Sequence, residues 1–144
     1  MCRCMYIWAV MDSPHKTSLA SFNNDWYNPG ASFVKRGLWL LVSSAFVASR
    51  FPSSGVKKFW LRLFGARIGK GVVIEPSVTI KSPWLLEIGD YSWIGEQVWI
   101  DNLVKVSIGS DCCISQGALL LTGNHDYKKT TFDLIIHTAA QPSH

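Results

Sequence analysis

The stretch Thr122-Gly123-Asn124-His125-Asp126 contains the one residue best suited to proton transfer at neutral pH. An imidazole ordinarily titrates near pH 6.5, so His125 can accept a proton from a hydroxyl and return it. An alcohol is a poor nucleophile until such a base stands beside it. A histidine next to Gly123 and Asn124 is equally what an exposed turn contains, and residue types alone leave the two readings level. Asp126 either orients the imidazole or helps form the turn. Asp101 and Asn102 carry groups that hold hydroxyls, and both are also common turn formers. Cys113 with His125 supplies the ingredients of a thiol nucleophile, but a base acting directly on an alcohol needs no thiol.

What positions these residues is an arithmetic ladder. Eight of the eleven isoleucines lie on it: Ile68, Ile74, Ile80, Ile88, Ile94, Ile100, Ile108 and Ile114, and Leu120 continues the series. The steps are six, six and eight, then repeat, giving a twenty-residue cycle. Four residues after most rungs comes a small or aliphatic side chain: Val72, Val78, Ser92, Val98, Val104, Cys112 and Ala118, with Trp84 as the exception. Neither the helical nor the alternating-strand period gives this spacing. A parallel β-solenoid of six-residue units does. Three units close a triangular coil, with interior columns Ile68-Ile88-Ile108, Ile74-Ile94-Ile114 and Ile80-Ile100-Leu120. Gly69, Gly89 and Gly109 follow the first column and are expected to take backbone angles that other residues resist. The eight-residue steps follow Ile80 and Ile100, so one corner bulges. Asp101, Asn102 and the His125 stretch all belong to that corner.

The charge is divided. Residues 1–67 hold nine Lys/Arg and two Asp/Glu, whereas residues 68–144 hold five and eight. The basic half would meet a phosphate group or an acidic membrane surface, or is simply a solvated face. Between Gly37 and Ser49 no charge occurs, and the apolar run is too short to span a bilayer. A buried or interfacial helix fits, ended by Arg50-Phe51-Pro52. A second helix is expected from Val56 to Phe64. With Lys57, Lys58 and Arg62 it could lie on anionic lipid, but a cap on the end of the solenoid is the favoured reading. The cysteines at 2, 4, 112 and 113 have no zinc-knuckle spacing, which points to a reduced, cytosolic chain without a metal, and Cys112 reads as core packing. The short apolar stretch Met5–Met11 lacks a cleavage site and is no signal peptide. No nucleic-acid recognition motif appears.

With W-Y-N-P-G (Trp26–Gly30), L-R-L-F-G-A-R-I-G-K-G (Leu61–Gly71), P-W-L-L-E-I-G-D-Y-S-W-I-G-E (Pro83–Glu96), I-S-Q-G-A (Ile114–Ala118) and T-G-N-H-D-Y (Thr122–Tyr127), the chain resembles the hexapeptide-repeat acyltransferases. Within them it is most similar to the colanic-acid-biosynthesis acetyltransferases. The resemblance implies an all-β solenoid, a left-handed parallel β-helix of about three coils with an N-terminal helical cap. It implies acetyl-CoA as donor, a sugar hydroxyl as acceptor and active sites between the prisms of a homotrimer. His125 matches the family's catalytic base. Asp101, Asn102 and Asn124 are then expected to bind the acceptor, a sugar or lipid-linked saccharide. Asp126 would support the base. The turn Ser115-Gln116-Gly117 would let its backbone approach the pantetheine arm of the donor, or is a turn with only structural duty. The better-studied sugar acetyltransferases place a substrate-binding asparagine where Gly95 stands here.

The expected organisation is a disordered lead-in over 1–21, a helical cap over 22–66, the β-helix with its histidine loop over 67–126 and an irregular tail over 127–144. Thr131–Ile135 still matches the family pattern, but residues 136–144 do not, so the C-terminus resembles a truncation. This leaves a second reading, a non-catalytic β-helix that serves oligomerisation. The expected location is the cytoplasm, with peripheral contact at the inner membrane surface open. A zinc enzyme on the same solenoid would need three histidines, and the repeat region has His125 alone.

Overall fold

The computed structural model describes residues 27–50, 53–125 and 134–136. Helix α1 spans Phe33–Val42 and runs on as a wider turn over Ser43–Val47. Ser32 starts it by accepting from the Lys35 amide. Helix α2 spans Ser54–Leu63, and Ser53 caps it in the same way through the Val56 amide. Nine short strands follow. They are β1 (Arg67–Ile68), β2 (Val73–Ile74), β3 (Thr79–Ile80), β4 (Leu86–Ile88), β5 (Trp93–Ile94), β6 (Trp99–Asp101), β7 (Val106–Ile108), β8 (Cys113–Ile114) and β9 (Leu119–Leu121).

These strands form three parallel sheets ordered β1-β4-β7, β2-β5-β8 and β3-β6-β9. The chain therefore visits each sheet in rotation, as a β-helix requires. The registers join residues twenty apart: Ile68 to Ile88 to Ile108, Ile74 to Ile94 to Ile114, and Ile80 to Ile100 to Leu120. Ile74, Ile80, Ile88, Ile94 and Ile100 are buried together with Val72, Val78 and Val98. Cys112, read as core, is only half-buried in the last strand set, with Cys113 exposed. Trp84 leaves the inward pattern because Pro83–Leu85 makes a single turn of 3-10 helix, and Leu86 takes the interior place instead.

The glycines of the first column serve a different purpose from the one expected. Gly69, Gly89 and Gly109 do not have positive φ. A Cβ on Gly89 would stand 2.6 Å from the carbonyl carbon of Gly109, so at this position stacking leaves no room for a side chain. The left-handed positions fall two residues later, at Gly71, Tyr91 and Asp111, and correspondingly at Ser77, Gln97 and Gly117 after the second column.

The helices cap the first coil, as favoured from sequence. Backbone groups of that coil face outward with no strand to receive them, and helix side chains satisfy them. Lys57 Nζ donates to the Glu75 carbonyl at 2.7 Å, Lys58 Nζ to Val72 at 2.8 Å, Arg62 to Ile68 at 2.8 Å and Trp39 Nε1 to Ile80 at 2.9 Å. Ser54 Oγ accepts from the Ile74 amide. Lys57 is fully buried, and burial lowers its pKa below the usual lysine value, with Glu75 opposing. Within the stretch expected to be irregular, Leu134–Ile136 forms strand β11, antiparallel to β10 (Gly123–His125). The lead-in expected over 1–21 lies outside the described residues.

Candidate active site at the third corner

The third corner, where the chain passes from the β3-β6-β9 sheet to the next coil, is built from a column of polar residues. Ser82, Asn102 and Thr122 lie twenty residues apart, each two positions after a rung. Asn102 is fully buried. Its Oδ1 accepts from the Ser82 amide at 2.9 Å, and its Nδ2 donates to the Ser82 carbonyl at 2.7 Å. Thr122 Oγ1 accepts from the Leu103 amide at 2.8 Å and donates to the Asp101 carbonyl at 3.3 Å. The insertions that make this corner bulge break the regular ladder, and these side chains replace the lost bonds.

Asp101 ends β6 and pairs in register with Leu121. Its Oδ1 lies 2.6 Å from Lys81 Nζ, and its carboxylate is largely shielded while the lysine is half exposed. Tyr27 reaches the same corner from the N-terminal segment, its hydroxyl donating to the Leu103 carbonyl at 3.2 Å. Burial raises the Tyr27 phenol pKa, Arg36 pulls it down and Asp101 adds to the rise. Trp84 Nε1 donates to the Pro29 carbonyl at 2.8 Å, which ties that segment down. A cleft of about 260 Å³ opens here, lined by Tyr27, Arg36, Trp39, Lys81, Ser82 and Trp84 among others.

Strand β10 starts two residues beyond Leu121 and carries Asn124 and His125 out of the corner, with β11 as its partner. The expected histidine loop is thus the first strand of a hairpin, anchored at its root by Thr122. The structure brings Asp101, Asn102 and the β10 backbone to one corner. It does not bring Ser115, Gln116 and Gly117 there. They form an exposed turn between β8 and β9, at the neighbouring corner. The Gly117 amide donates to the Glu96 carbonyl at 2.8 Å, and its φ of 69° fits glycine. Asp126 lies outside the described residues.

Gly95 is fixed by the turn above it. A Cβ there would stand 2.6 Å from the Gln116 amide nitrogen, so an asparagine cannot occupy this place without moving the next coil. Sequence reasoning missed Lys81, Tyr27 and Thr122. The twenty-residue spacing of Ser82, Asn102 and Thr122 was the available signal for the last of these. Among the described residues no group of three His, Cys, Asp or Glu side chains could hold a metal ion.

No protein-family model and no solved structure matches the chain. Two curated proteins do. Over 106 residues it is 42 % identical to the "Putative colanic acid biosynthesis acetyltransferase WcaF" of Escherichia coli (strain K12), and the same figures hold for the protein of that name in Shigella flexneri. The match covers 73 % of this chain and 58 % of each relative, so the chain spans rather more than half their length. Over that stretch the chain is a homologue of the colanic-acid-biosynthesis acetyltransferases.

Proposed function

We propose that this chain belongs to an O-acetyltransferase that moves an acetyl group from acetyl-CoA to a sugar hydroxyl in exopolysaccharide biosynthesis, on a left-handed β-helix of three coils. The observation that carries the reading is the 42 % identity to proteins named as acetyltransferases of colanic acid biosynthesis. The third corner supports it, since the histidine-bearing strand β10 begins directly after Thr122, whose hydroxyl is bonded to the Asp101 carbonyl.

The chemistry needs a base and an oxyanion donor. His125 takes the proton of the acceptor hydroxyl as its oxygen bonds to the thioester carbonyl carbon. The oxyanion formed on that carbon is held by hydrogen-bond donors, and it collapses with loss of the CoA thiolate, which takes the proton from the imidazolium. Asp126 orients the imidazole. Asp101 and Asn124 bind the acceptor, a free sugar or a saccharide carried on lipid. Asn102, with both amide ends bonded to Ser82, acts by holding the corner in shape. Ser115, Gln116 and Gly117 receive the pantetheine arm.

That turn and β10 occupy different corners of one chain. The reading therefore needs a second copy to bring donor and base together, and a homotrimer with sites between neighbours supplies it. Acetyl-CoA consumption by the purified protein against a panel of sugars tests the proposal. His125→Ala should lower turnover at least about a hundredfold. Turnover indifferent to that change would show that His125 is not the base.

A further inference from the structure

Helix α1 presents a wide face that the coils do not cover. Phe33, Val34, Leu38, Leu40 and Leu41 are between 52 % and 86 % exposed, whereas Trp39 is buried against the first coil. At the helical repeat these five, with Gly37, Ser44 and Ala45 among them, fill an arc of roughly 160°. The arc contains no charged residue. Lys35 stands beyond one edge of it and Arg36 beyond the other. Phe33, Gly37 and Leu40 also line the cleft at the third corner, so the apolar surface continues past the helix.

Charge decides what covers this face. From Tyr27 to Ile74 the sequence has eight Lys/Arg and no Asp or Glu. Among the described residues the ion pairs use Arg67, Lys81 and Lys105. Lys35, Arg36 and Arg50 have no ion-pair partner there, and Lys57, Lys58 and Arg62 are bonded to backbone carbonyls of the first coil. Packing this face on the same face of a second copy would set like charges together. An anionic bilayer surface takes up the apolar arc and neutralises the flanking cations. No helix among the described residues is long and apolar enough to cross a membrane.

We propose that α1 is an interfacial anchor, lying in the plane of an anionic bilayer with Phe33, Val34, Leu38 and Leu41 at the acyl boundary, Arg36 reaching the lipid phosphates, and Lys35, whose Nζ rests 5.4 Å from the Trp84 ring centroid, turning outward to join it. The inference goes beyond acetyl transfer and does not depend on it.

Flotation of the full chain with vesicles tests it. Binding to vesicles of equal parts phosphatidylglycerol and phosphatidylcholine should be at least about tenfold stronger than to phosphatidylcholine alone, and should weaken as salt rises. Val34→Gln with Leu41→Gln should abolish flotation and leave the circular dichroism unchanged, because both sites are exposed and glutamine keeps helix propensity. Lys35→Gln and Arg36→Gln should each weaken binding about fivefold. Equal binding to both vesicle types, or flotation that survives the paired glutamines, overturns the proposal. It is likewise overturned if the paired glutamines dissociate an oligomer in sedimentation velocity, since a second copy would then be the occupant.

Discussion

Asn102 uses both ends of its amide on the backbone of one residue, Ser82, in a place closed to water. Removing it leaves a buried amide and a buried carbonyl without partners. Asn102→Ala should lower unfolding free energy by about 3 kcal/mol in a urea titration. Gly95 is constrained by space: Gly95→Asn should cost about 3 kcal/mol, because the added side chain would displace the turn at Gln116. Glu87 lies between three donors, with Lys105 Nζ at 2.9 Å, Arg67 at 3.0 Å and Ser107 at 3.3 Å. The bond from Lys105 leads in holding its carboxyl below the ordinary value of 4.5. As pH falls, the unfolded chain therefore takes up this proton first. The stabilisation is full above that ordinary value and is lost as pH drops through the lowered one. Glu87→Gln should flatten the acid side of the melting-temperature profile in that window. Of these roles, Asn102 was readable only as a turn former or hydroxyl binder, because nothing in its type says that its amide points inward.

At the scale of elements, α2 acts as a lid whose cations serve carbonyls. Lys57 is the clearest instance, a buried lysine whose ammonium reaches the Glu75 carbonyl. Lys57→Met keeps the bulk and removes the donor, leaving that carbonyl unpaired. Its expected cost is about 2 kcal/mol by thermal or chemical unfolding. The columns are legible in the sequence, because isoleucine at twenty-residue intervals admits few other arrangements. The capping helix was legible from its apolar positions and its place before the first coil. The hairpin of β10 and β11 was not, since Leu134–Ile136 lies off the isoleucine ladder and pairs antiparallel to β10. The reason for Gly69 and Gly89 was also hidden. A glycine in a turn suggests a special backbone angle, and only the neighbouring coil shows that the constraint is clearance.

Taken whole, the molecule is a stack in which each coil leans on its neighbours. The middle strands β4, β5 and β6 have a paired strand on either side, and Ile88, Ile94 and Ile100 are buried. Their counterparts Ile108, Ile114 and Leu120 are only partly buried. Amide hydrogen exchange should therefore be slowest at Ile88, Ile94 and Ile100 and faster through β7, β8 and β9. The uniform register also makes the chain count in whole turns of the prism. An insertion of one complete coil preserves every vertical neighbour, whereas losing a single amino acid from the middle puts everything downstream out of phase. Each interior side chain beyond the cut would then swing to the outside. Such a stack lengthens or shortens by twenties, and its working edge stays aligned only under that rule.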